Sequence, residues 1–128
     1  MARLDVSITE AEWDVLKTLW TLGPTTARAV ADHLTQDRGW AYSTVKTMLD
    51  RMAEKSLVKA RQVGNVWEFS AAVAEADARR GAWRRFVDAA FGGAVAPALA
   101  FIAAEGRLTK KERERLMDLL REEARDDR

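Results

Sequence analysis

Apolar and polar positions along the chain change period twice. Trp13, Leu16, Leu19 and Trp20 recur three to four residues apart, the spacing of one helix face. Thr9 stands three residues ahead of Glu12, a capping box that opens such a helix, and Gly23-Pro24 closes it. A helix is therefore predicted from about Glu10 to Leu22. A second stripe, Ala27, Val30, Ala31 and Leu34, predicts a helix capped by Thr25 or Thr26 and ending near Gln36. The third helix, Tyr42 to Lys55, divides cleanly. Val45, Met48, Leu49 and Met52 share one face; Ser43, Lys46, Thr47, Asp50 and Arg51 share the other.

From Leu57 the period falls to two. Leu57–Gln62 and Val66–Ser70 read as strands around a Val63-Gly64-Asn65 turn, with glycine and asparagine suited to positive φ. From Ala72 the period is helical again. One long helix carries Ala78, Trp83, Phe86, Val87, Ala90 and Phe91 and stops at Gly92-Gly93. A second carries Val95, Leu99 and Ile102, with Pro97 tolerated in its first turn. Thr109 and Glu112 form another capping box and open a last helix bearing Leu116, Met117, Leu119 and Leu120, whose final residues, Arg125–Arg128, are expected to fray.

Three helices followed by a hairpin make a winged helix-turn-helix, so the fold is read as mainly α with a small β wing, residues 1–71, plus a helical region, residues 72–128. The second region is too short for a core of its own and too apolar to face water. Trp83, Phe86, Phe91, Val95, Leu99, Ile102, Leu116, Leu119 and Leu120 need a partner, and the economical one is the same tail on a second copy, giving a homodimer.

Composition narrows the chemistry. The 128 residues contain no cysteine, which excludes disulfides, thiolate metal sites and thiol catalysis and fits a cytoplasmic setting. No apolar leader opens the chain, and Ala89–Ala104 is broken by glycines and Pro97, so neither export nor membrane insertion is expected. The single histidine, His33, has no partners for a metal site or a catalytic triad; no metal, cofactor or enzymatic activity is expected. Net charge is +1, yet Arg38–Gly64 holds six basic residues against Asp50 and Glu54. Charge alone fits an ordinary solvated face equally well.

Placed on the third helix, that charge points to double-stranded DNA. A helix fits the major groove, and its first turns reach the base edges. Ser43 and Thr47 can donate or accept there, Lys46 can reach guanine or a phosphate, and Arg51 suits the backbone. Tyr42 and Thr44 flank the helix start and suit phosphates; Arg61, Gln62 and Asn65 occupy the wing. The alternative is a winged-helix protein–protein adaptor that binds no DNA. An adaptor would favour apolar or acidic residues on that outer face, where this chain has Ser, Thr, Lys and Arg.

Ile8-Thr9-Glu10-Ala11-Glu12-Trp13-Asp14-Val15 and Tyr42-Ser43-Thr44-Val45-Lys46-Thr47-Met48-Leu49-Asp50-Arg51-Met52 resemble the opening segment and recognition helix of the BlaI/MecI/CopY family of penicillinase-repressor-like regulators, and Gly92-Gly93 matches its paired glycine. The resemblance implies a dimeric repressor on palindromic operators with TACA/TGTA half-sites, with Thr44, Lys46, Thr47 and Arg51 at DNA-contact positions. Ser43 stands where several members have lysine, and Ala41 where a capping serine is usual. In antibiotic-responsive members a membrane sensor with a metalloprotease domain triggers cleavage in the tail. The matching bond here is Ala100–Phe101, with alanine in place of the usual asparagine. Copper-responsive members carry a cysteine cluster, which this chain lacks.

Overall fold

The computed structural model describes residues 7–126. The leaderless start and part of the frayed end expected above fall at residues 1–6 and 127–128, outside the described residues. The chain divides into two compact units, Met1–Trp83 and Arg84–Arg128.

In the first unit, α1 (Glu10–Leu22) begins at the expected capping box. The Glu12 N–H donates to Thr9 Oγ1 at 3.2 Å, and the Thr9 N–H donates to Glu12 Oε1 at 2.9 Å. Gly23 stops the helix with φ +76°, its N–H donating to the Leu19 carbonyl. A short strand β1 (Thr25–Thr26) follows, and Thr26 caps α2 (Ala27–Arg38) by accepting from the Ala29 N–H. α2 runs two residues past the expected Gln36 because the left-handed turn comes only at Gly39, φ +68°. Arg38 in its last turn sits 2.9 Å from Asp14 on α1. α3 spans Tyr42–Glu54, one residue short of the expected end, with Lys55 as its C-cap.

The hairpin is β2 (Val58–Val63) and β3 (Val66–Ala71). Gly64 takes φ +63° and Asn65 does not take positive φ, a glycine-first two-residue turn. The expected two-stranded wing is in fact part of a three-stranded antiparallel sheet, ordered β1-β3-β2. Thr25 pairs with Phe69 and Thr26 with Glu68. Two residues are too few to show an alternating pattern, so β1 is created by its neighbour and not by its own sequence.

The core forms where these elements meet: Val15, Leu16, Leu19, Val30, Leu34, Val45, Leu49, Met52, Leu57 and Phe69 are all buried. Each such side chain contributes roughly 1.5–3 kcal/mol by leaving water. Trp20 packs against this core and donates its indole N–H to the Val73 carbonyl at 3.0 Å, fastening α1 to the segment after β3. Trp40, just before α3, also packs against it.

α4 (Glu75–Phe91) starts three residues later than expected and continues into the second unit. Gly92 and Gly93, at φ +58° and +85°, turn the chain into α5 (Val95–Glu105). Thr109 and Glu112 then cap α6 (Lys110–Asp126) reciprocally. Within this unit Phe91 bridges Phe86 and Phe101 at centroid distances of 5.7 and 5.8 Å, while Val87 and Ala98 are buried. Among the described residues no single helix is long and apolar enough to cross a membrane; α4 and α5 reach that length and composition only as a pair bent by 93°.

Candidate nucleic-acid interface

The division of α3 expected from its periodicity holds in three dimensions. Val45, Leu49 and Met52 are 0% exposed, so the inner stripe is locked into the core. That locking holds the outer side chains on a rigid element. Ser43, Thr44, Thr47 and Arg51 are exposed, a row of hydroxyls ending in a guanidinium. Hydroxyls can donate or accept at a base edge, and a guanidinium can grip a phosphate with two parallel hydrogen bonds.

Lys46 is only half exposed. Its Nζ lies 2.7 and 2.9 Å from the two carboxylate oxygens of Asp50, one helical turn on, and 5.6 Å from the Phe69 ring centroid. The expected cation is therefore present on the outer face but shared with a carboxylate. The start of α3 carries no side-chain cap, because Ala41 sits at the N-cap with extended backbone and no hydroxyl to offer. Tyr42 follows and is 38% exposed. The Arg28 guanidinium of α2 stacks over that ring at 4.2 Å.

On the wing, Arg61 and Glu68 face each other in register and form an ion pair at 3.0 Å. Side chains alternate across a sheet, which places this pair on the face opposite the buried Phe69. Gln62 and Trp67 pair on the face that Phe69 shares, where Lys46 of α3 also approaches. Trp67 is 49% exposed because the hairpin extends past the core at this point. Asn65 is exposed at the tip.

Sequence reasoning missed two members of this surface. Trp67 lies two residues from the buried Phe69, so strand alternation alone reads it as a core position. Only the length of the wing beyond the core shows otherwise. Arg28 gave no local signal at all; its stack on Tyr42 joins residues from separate helices.

Behind α3, Lys55 reaches back to α1 and donates to Glu12 Oε2 at 2.7 Å. Burial pushes the Glu12 carboxyl up, but the hydrogen bonds and charge from Lys55 and the hydrogen bonds from Thr9 outweigh it and hold the carboxyl below its ordinary value of 4.5. Exposed Glu112 is lowered by the Thr109 cap. His33 is exposed on α2, and among the described residues no cluster of acids and histidine stands close enough to hold a metal ion.

In the tail, Trp83, Phe86, Val95, Leu119 and Leu120 are exposed, and Phe91, Leu99, Ile102 and Leu116 are half-buried. Trp83 belongs to the first compact unit and the others to the second. Ala100 and Phe101 are exposed in the middle of α5.

A family profile described as penicillinase repressor matches residues 8–122, which is most of the chain. The chain belongs to the penicillinase-repressor family. This family comprises DNA-binding transcriptional repressors, not enzymes. The penicillinase repressor of Staphylococcus aureus is 26% identical over 120 residues, 94% of this chain and 95% of that protein. An uncharacterised 16.5 kDa protein of Latilactobacillus sakei is 34% identical over 82 residues, 64% of this chain but only 56% of its own length. Among solved structures, the monomeric form of Bacillus licheniformis BlaI bound to the blaP half-operator aligns with TM-score 0.53 and 25% identity, over 59% of this chain and 93% of that one. The winged helix is thus common to both folds, and the earlier resemblance to BlaI and MecI is a family relationship.

Proposed function

We propose that the chain represses transcription as a homodimer, laying one α3 from each subunit into the major groove of a palindromic operator. The observation that carries this reading is the division of α3: three apolar side chains fully withdrawn from water, and an outer row of Ser43, Thr44, Thr47 and Arg51 facing it. The relative seen with a half-operator supports DNA as the partner. Tyr42, Ser43, Thr44, Lys46, Thr47 and Arg51, with Arg61 and Asn65 of the wing, form the proposed contact set. Operators with TACA/TGTA half-sites are the proposed targets.

Residues 1–71 would then bind DNA and residues 72–128 would dimerise. Supporting the second assignment, Phe86, Val95, Met117, Leu119 and Leu120 all face water in the single chain. A second copy would cover them, and two linked half-site contacts bind far more tightly than one. Relief of repression by a membrane sensor protease belongs to the same proposal, with Ala100–Phe101 as the bond. That bond lies inside α5, so a protease must unwind the helix locally before cutting.

The test is a mobility shift on a short palindromic duplex with TACA/TGTA half-sites and on a scrambled one. The palindrome should be preferred, and Lys46→Ala and Arg51→Ala should each weaken binding. A chain ending at Gly92 should be monomeric and bind half-sites weakly. Equal affinity for the two duplexes would refute sequence-specific repression, and a truncated chain that stays dimeric would refute the tail assignment.

A further inference from the structure

We propose that Arg28 is a phosphate-anchoring residue of the DNA interface, aimed by the ring of Tyr42. The inference rests on α3 being the helix that enters the groove. Arg28 is the second residue of α2 and is exposed; Tyr42 is the first residue of α3. The guanidinium carbon lies 4.2 Å from the ring centroid, well inside the roughly 6 Å reach of a cation–π contact.

This stack does two things. It holds an exposed guanidinium against the ring, where it can still grip a phosphate with paired hydrogen bonds. It also fixes a long side chain in advance, so less rotamer freedom is lost when the phosphate arrives.

Charge separates Arg28 from four other cations of the first unit, while Arg51 on α3 is, like Arg28, without a carboxylate partner among the described residues. Lys46 is held by both oxygens of Asp50, Arg61 by Glu68, Arg38 by Asp14 and Lys55 by Glu12. Among the described residues no carboxylate pairs with Arg28. Its full charge therefore stands at the start of α3, with the exposed hydroxyls of Ser43 and Thr44 next along the chain. A DNA phosphodiester beside the groove supplies the missing anion.

The experiment measures binding of the full chain to the palindromic and the scrambled duplex by fluorescence anisotropy across a salt series, with melting curves for every variant. Arg28→Ala should weaken both duplexes alike, by about tenfold, and flatten the salt dependence by about one unit per bound subunit. Tyr42→Leu keeps the charge, so it should keep the salt slope while losing affinity several-fold, roughly the worth of the lost stack. Arg28→Lys should likewise keep the slope. Arg28→Ala with unchanged affinity and slope on both duplexes would overturn the assignment, and so would a variant that melts earlier yet retains the wild-type slope. If the unmodified chain binds neither duplex, the reading of α3 itself is lost, and the role of Arg28 with it.

Discussion

Lys46 donates to both carboxylate oxygens of Asp50, at 2.7 and 2.9 Å, on the face of α3 turned to solvent. The helix thus carries its own competitor for the cation that DNA would use. An exposed pair of this kind is worth under about 1 kcal/mol, so a duplex can displace it, but the carboxylate also repels phosphates nearby. Asp50→Asn should therefore tighten binding to a scrambled duplex several-fold, roughly 1 kcal/mol or less, and steepen its salt dependence. Anisotropy titrations on scrambled DNA at several salt concentrations decide this; unchanged binding would mean that Asp50 does not restrain Lys46.

Glu12 and Lys55 join α1 to the end of α3 through a carboxylate whose side chain is only 9% exposed. Because its folded-state pKa is lowered, its contribution is fully present above about 4.5 and is lost as pH falls through the lower folded value. Urea midpoints measured from about pH 6 down to 3 should fall for the wild type and fall less steeply for Glu12→Gln. At neutral pH that variant should lose about 1–3 kcal/mol, since Lys55 loses an ionised partner and the cap is weakened. Parallel pH curves for the two proteins would show that other carboxylates control acid stability.

Ala41 holds the N-cap backbone geometry of α3 without a side chain to use it. Ala41→Ser should add a hydrogen bond to an open first-turn N–H and raise stability by about 0.5–2 kcal/mol. Chemical denaturation measures the gain. No gain would show that water already satisfies those N–H groups as well as a serine does.

Leu119 and Leu120 lie exposed on α6 in the single chain. If they are covered by a second copy, Leu119→Glu together with Leu120→Glu should shift sedimentation from dimer to monomer with little change in helix content. Burying two uncompensated carboxylates at an interface costs several kcal/mol. A double variant that remains dimeric would place the interface elsewhere.

Most of the fold was legible along the chain because helices announce themselves locally. Capping boxes at Thr9 and Thr109, the stops at Gly23 and Gly92-Gly93, and the apolar stripe of α3 all depend on residues within a few positions of one another. The outer face of α3 was legible for the same reason: fixing the inner stripe fixes what is left over.

The sequence by itself determined where the helices lie to within about three residues, which face of α3 is dry, and where the hairpin turns, since each follows from spacings the backbone imposes on near neighbours. Tertiary structure alone decided that Thr25–Thr26 become a strand against Phe69, that Arg28 lies over Tyr42, that the Lys46 ammonium comes up beside the Phe69 ring, and that Trp67 falls beyond the core. These depend on distances between elements and on where the core runs out. None of those quantities is encoded in the spacing of residues along one element.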